Sequence, residues 1–257
     1  MPEVISTYGK AVDDLWWLIV WITLVTFIAV EALLIIFLVK YRHRDGRRAS
    51  YTHGHRGLEV VWTVATAAIL VFIAIVQRDT WAHIKEELPG PEKNPLLVRV
   101  FGEQFNWHFV YAGADGKFEP RRDEDMFGEE NPIGLKDPKL DVYRRALLVP
   151  VDTPVILELN SLAKFEVNTG KRDLPVLHGF FAPNLRIKQD LVPFHPGKIW
   201  FQATKTGTYE IACAELCGQN HYTMRADLKI MTADELKTAL GYDWQAARAT
   251  QFPENPK

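Results

Sequence analysis

Hydrophobic positions are unevenly spread along this 257-residue chain. Leu15 to Val39 reads LWWLIVWITLVTFIAVEALLIIFLV, 25 residues broken by one charge, Glu31. As a helix this run is roughly 37 Å long, enough to cross a hydrocarbon core of about 30 Å. Val60 to Val76 supplies 17 more residues without a charge, or about 26 Å of helix, with Trp62 and the Gly57-Leu58 pair available to extend it into the interface. A buried helix of a soluble domain is the competing reading of this second run. The first run argues against it, because it leaves the connector beside a membrane. From residue 97 the pattern changes to short β-like runs. LLVRVFGEQFNWHFVY alternates Phe101, Phe105, Trp107, Phe109 and Tyr111, which predicts one face of a strand. VILEL at 155–159, two runs flanking Thr206 and Gly207, and ADLKIM add further strands between Pro and Gly punctuation. The expected fold is a two-helix transmembrane hairpin followed by an all-β sandwich or barrel.

Charge orients the hairpin. The connector 40–56 carries six basic residues against Asp45, whereas residues 1–14 hold Lys10 against Glu3, Asp13 and Asp14. Short basic loops stay inside, so 1–14 is an exported segment and everything after residue 78 also faces outward. The spans are expected at 15–39 and 57–78, with a linker at 79–96 and the β domain at 97–231. No basic n-region and small-residue cleavage site is visible, so the first helix is expected to act as its own insertion signal. Thr232 and Glu235 have capping-box spacing, predicting a helix over ADELKTAL with a loose tail to Lys257. Residues 115–141 read as an insertion with nine acids and five bases: a solvated loop, or a docking patch for a basic protein. The overall net charge of −2 argues against nucleic-acid binding. Two cysteines exclude a disulfide-dense scaffold, a four-cysteine zinc site and an ordinary iron–sulfur cluster, and no C-x-x-C-H attaches a haem.

Those two cysteines lie in Cys213-Ala-Glu-Leu-Cys217-Gly-Gln-Asn-His221-Tyr-Thr-Met224, with Leu177-His178-Gly179 about 35 residues earlier. Thiolate, thioether and imidazole donors together favour copper over magnesium or calcium. Cysteines at i and i+4 of one loop can share two metal ions, each completed by one imidazole from His178 or His221. Met224 and a carbonyl near Glu215 suit weaker axial positions. The arrangement follows cupredoxin logic, with one ligand from an early strand and the rest from the last inter-strand loop. Three other readings compete. A Cys213–Cys217 disulfide leaves His221 and Met224 unexplained, a Cys₂His₂ zinc site leaves out Met224, and mononuclear blue copper needs only one cysteine.

The loop C-A-E-L-C-G-Q-N-H-Y-T-M closely resembles the dinuclear copper (CuA) loop of subunit II of haem–copper cytochrome c oxidases. The hairpin, L-E-V-V-W-T, G-x-Q-x-x-W and H-G-F-F-A-P-N-L-R-I-K-Q-D extend the resemblance in order. It implies a cupredoxin-like domain with His178, Cys213, the Glu215 carbonyl, Cys217, His221 and Met224 on two copper ions; Met1 and the absence of a visible presequence place the expected location at the outer face of a bacterial plasma membrane. It also implies a magnesium site shared by the Glu215 side chain with subunit I, and Glu59 at the inner mouth of a proton pathway. The implied partners are a haem-bearing subunit I, subunit III and a c-type cytochrome donor. Oxygen reduction and proton pumping would lie outside this chain. Two positions depart from the family. Phe105 stands where many members have the tryptophan that receives electrons, leaving Phe105 or the nearby Trp107, and Ala65 stands where proline is frequent. With the acidic 115–141 stretch, these departures suggest a membrane-bound or otherwise dedicated donor. A quinol-oxidising relative lacking copper and a membrane-tethered copper carrier are the functional alternatives.

Overall fold

The computed structural model describes residues 1–48, 51–118, 141–163, 165–166 and 171–251. Most of the acidic stretch (119–140) and the last six residues therefore lie outside the described part. The chain divides into two units: residues 11–82, and residues 1–10 together with 83–257.

The first unit consists of α1 (Gly9–Lys40) and α2 (Arg56–Lys85), less the outer end of each. Both are longer than their apolar cores require. α2 continues to Lys85, through the first seven residues of what reads as a linker at 79–96. The apolar stretches of both helices are long enough to span a membrane and are unburied within the chain. That is the reverse of a soluble core helix, and it removes the competing reading of Val60–Val76.

The second unit is a two-sheet sandwich. Its strands are β1 (Leu96–Glu103), β2 (Asn106–Tyr111), β3 (Val142–Arg144), β4 (Leu147–Pro150), β5 (Pro154–Ser161), β6 (Phe165–Glu166), β7 (Lys171–Arg172), β8 (His178–Ala182), β9 (Ile187–Leu191), β10 (Gly197–Gln202), β11 (Gly207–Cys213) and β12 (Arg225–Met231). One sheet runs β10-β5-β1-β2-β3 and the other β4-β12-β11-β8-β9, with β6-β7 a separate ribbon. Alternate residues Val98, Val100, Phe109, Tyr111, Leu157 and Leu159 of the first sheet are fully buried, as are Leu147, Val149, Phe180, Ile211 and Leu228 of the second, within 1 %. Tyr111 ties the sheets together: its hydroxyl donates to the Leu148 carbonyl at 2.9 Å and accepts from the Leu148 amide at 2.6 Å.

The structure goes beyond the sequence reading, or departs from it, in three places. The 96–111 run is a hairpin, because the chain reverses at Gln104-Phe105 and pairs Phe101 with His108 and Gly102 with Trp107. Phe101 consequently shares a small outer core with Val110 and Leu162, whereas Trp107, Phe109 and Tyr111 sit on the opposite face. The residues at the reversal carry none of the usual hairpin turn chemistry, so the pattern reads as one strand. Residues 1–8, read from the sequence only as part of an exported segment, are the second. They pack on the sandwich, with Ile5 fully buried, its amide donating to the Asn184 carbonyl and its own carbonyl accepting from the Thr204 amide. Ser6 Oγ donates to Leu185 O at 2.7 Å and the Tyr8 hydroxyl to Trp200 O at 2.9 Å. Lastly, beyond the expected helix α3 (Ala233–Leu240), part of the expected loose tail forms α4 (Trp244–Gln251). Asp243 Oδ1 accepts from the Gln245 and Ala246 amides, and Trp244 is buried with its indole NH on Ala233 O.

Candidate metal centre

β11 ends on Cys213 and β12 begins after Met224, so the residues between them form a loop at one end of the sandwich. The Cys213 amide donates to Met224 O at 3.0 Å, closing the loop on itself. His178 opens β8, the strand beside β11. The next residue must be small: a Cβ on Gly179 would lie 3.0 Å from the backbone of Ala214 and Glu215. Gly218 is required twice over, by its φ of +137° and by Gln104 Nε2 and the Phe105 ring at 2.9 and 3.1 Å from a built Cβ.

Six donors converge. Cys213 Sγ is 3.8 Å from Cys217 Sγ, 3.9 Å from His178 Nδ1 and 3.2 Å from the Glu215 carbonyl. Cys217 Sγ is 3.5 Å from His221 Nδ1 and 3.9 Å from Met224 Sδ. The His178, Cys213 and Cys217 donor atoms all lie within 4.8 Å of one another. The sulfurs are nearly twice as far apart as the ~2.05 Å of a disulfide, and both cysteines are free. Each thiol has its own imidazole, and both imidazoles present Nδ1. His178, Cys217 and Met224 are at most 3 % exposed, so metal held there would be shielded from water. This donor set suits a soft transition metal and gives a hard cation almost nothing.

Burial shapes the protonation of the site. It pushes the Cys217 thiol up to about 12, with the neighbouring Cys213 adding to the effect. It lowers His178 to about 4, helped by nearby His221. His178 Nε2 is buried and has no hydrogen-bond partner among the described residues. The pocket therefore presents neutral imidazole, and a metal must displace thiol protons to enter.

The Glu215 side chain turns away from the sulfurs, to a Lys188 ammonium 4.0 Å away, leaving only its carbonyl in the cluster. The two aromatic candidates separate clearly. Phe105 is half-buried and lies against Gly218 of the loop. Trp107 is 2 % exposed, its indole NH donating to Met224 O at 3.4 Å and its ring 6.3 Å from that of His178. Glu59 lies in the first turn of α2, at its exposed start, in the other unit. Sequence reasoning missed Gln104, whose side-chain NH donates to the Cys217 carbonyl. The G-x-Q-x-x-W spacing carried that signal. It also missed the buried pair of His108 Nε2 and Glu103 Oε2 at 2.9 Å, with Tyr143 OH 3.1 Å from His108 Nδ1.

Two membrane-spanning helices followed by a cupredoxin-like sandwich with a soft-donor cluster define a class, the membrane-anchored cupredoxin-type metalloproteins. Within that class, the chain belongs to the cytochrome c oxidase subunit II family. The family's periplasmic-domain model matches residues 96–231 and its transmembrane-domain model residues 2–77. The "Alternative cytochrome c oxidase subunit 2" of Bradyrhizobium diazoefficiens is 30% identical over 228 residues, covering 86% of this chain and 76% of that one. A "Probable cytochrome c oxidase subunit 2" of Rickettsia prowazekii is 29% identical over 178 residues, covering 69% of this chain and 50% of its own length. Among solved structures, the periplasmic domain of subunit II of cytochrome oxidase of Bradyrhizobium japonicum matches at a TM-score of 0.38 and 23% identity, covering 62% of this chain and 96% of that one. The chain is thus a membrane-anchored component of an oxidoreductase complex, with its β domain outside the membrane.

Proposed function

We propose that this chain is the electron-receiving subunit of a cytochrome c oxidase, with a dinuclear copper centre between a c-type cytochrome and the haem of subunit I. The observation that carries this reading is the pair of sulfurs 3.8 Å apart, each with its own imidazole within 3.9 Å. Cys213, Cys217, His178 and His221 would hold the copper, with Met224 and the Glu215 carbonyl as weaker donors. Bound copper would supply a one-electron acceptor with its charge shared between two ions. The buried pocket excludes water, and the bonds from Gln104 and Trp107 to the Cys217 and Met224 carbonyls hold the loop in place. Little then needs to move when the charge changes. Phe105 is the electron-input residue, since it is half-buried against the loop while Trp107 is enclosed. The Glu215 side chain is assigned to magnesium shared with subunit I, and Glu59 to the inner end of a proton pathway serving O₂ reduction and proton pumping there. Subunit III completes the assembly, and the bacterial plasma membrane is the assigned location. The burial of Cys217 and Met224 weighs against a copper carrier, which exchanges metal through exposed sulfur.

Rapid mixing of the copper-loaded full chain with a reduced c-type cytochrome tests the proposal. Fast oxidation of the cytochrome is expected, with loss of the copper absorbance on the same timescale. A loaded chain that takes no electrons from cytochrome but exports copper to an acceptor protein would sink it. Glu59→Ala in the assembled oxidase should slow proton uptake while leaving copper reduction unchanged, and unchanged turnover would remove that assignment. For the donor, rates with soluble basic cytochrome should fall below those with a membrane-bound one at every ionic strength; equal rates would contradict a dedicated donor.

A further inference from the structure

Glu31 is the sole charged residue of the 25-residue apolar run in α1. It lies about 13 Å along the helix from Lys40 and about 24 Å from Leu15, too deep for a short carboxylate to reach either interface. On its helix face Phe27, Ile28, Leu34 and Ile35 each expose half or more of their surface, and Glu31 itself is partly covered. Neither described helix donates a hydrogen bond to Glu31. Among the described residues it makes no hydrogen bond or ion pair. Val60–Val76 of α2 contains no ionisable side chain. Its two threonines, Thr63 and Thr66, donate to Glu59 O and Trp62 O in their own helix, as Thr26 of α1 does to Ile22 O. Thr23 is about 12 Å away along the axis.

An ionisable group in hydrocarbon is costly and persists where something outside its own helix compensates it. We infer that Glu31 is an intramembrane docking residue, paired in the assembled oxidase with a basic side chain on a membrane helix of another subunit. Charge complementarity selects that partner. Single hydrogen bonds between membrane helices are weak, so a neutral donor offsets less of the burial cost of a carboxylate than a cation does. The surrounding exposed Phe, Ile and Leu side chains supply the apolar rim that seals such a pair from lipid. This assignment rests on family membership and the membrane spans, not on the copper reading, so it stands or falls separately from that proposal.

The test uses the complete oxidase, with Glu31→Leu, Glu31→Gln and Glu31→Lys in the full chain. The fraction of complex that loses this chain is measured across a detergent series. The absorbance of the outer domain and the amount of chain in the membrane report folding and insertion. A basic partner predicts roughly tenfold more dissociation for both Leu and Gln, and more still for Lys, with the outer-domain absorbance unchanged. Complexes of the Leu variant as resistant as the parent would overturn the inference, since Glu31 would then face lipid. So would a Gln variant matching the parent while Leu dissociates, because the partner would then be a neutral hydrogen-bonding group.

Discussion

Cys217 and His178 carry opposite burial effects that make the copper site pH-dependent in two ways. The Cys217 thiol is pushed up to about 12, chiefly by burial, so metal uptake must release protons and apparent affinity rises with pH. Copper titrations at pH 5, 6 and 7 should show steadily tighter binding, and pH-independent affinity would contradict thiolate ligation. His178 is lowered from 6.5 to about 4. Its neutral form is favoured in the fold, so the metal-free chain has the full benefit above pH 6.5 and loses it as pH falls toward 4. Urea melts across that window should show the decline, and His178→Asn should flatten it. Phe105→Ala should slow electron arrival from the cytochrome severalfold without changing the copper spectrum. Trp107→Phe instead removes a bond to Met224 O and should cost about 1 kcal/mol of stability.

At the scale of elements, legibility followed sequence distance. The Cys213–Met224 loop could be read because its ligands lie within twelve residues and their spacing is itself the chemistry. Gln104 and Phe105 contact that loop from more than a hundred residues upstream, across a reversal without turn residues. The motif spacing names these residues, but only the pairing of β1 with β2 brings them to the loop. The capping box of α3 is local and appears as expected: the Thr232 hydroxyl accepts from the Glu235 amide and the Glu235 carboxylate from the Thr232 amide. Thr232→Ala should cost about 1 kcal/mol. Residues 1–8 were illegible for the opposite reason, since the groups that anchor Ile5, the Ser6 hydroxyl and the Tyr8 hydroxyl all lie beyond residue 180. Ile5→Ala should destabilise the outer domain by about 2–5 kcal/mol, seen as a lower unfolding midpoint of the full chain. A midpoint equal to the parent's would mean that the segment is not part of the domain's core.

For the whole molecule, the same contacts bear on topology. Residues 1–10 and 83–257 form one unit, so the two spans must leave and return on one side, in agreement with the basic connector lying inside. In intact cells, a membrane-impermeant thiol reagent should label Lys205→Cys and spare Asp45→Cys; the reverse pattern would invert the protein. An uneventful average composition thus resolves into two spans and a sandwich, with both cysteines in one buried cluster. The central claim is that this cluster holds two coppers sharing one electron. The most direct test is the optical and electron-spin spectrum of the copper-loaded full chain, read together with its metal content. Two coppers sharing one electron give a purple protein with two coppers per chain and a mixed-valence signal, lost in Cys217→Ser. One copper per chain, or a colourless zinc form, would contradict it.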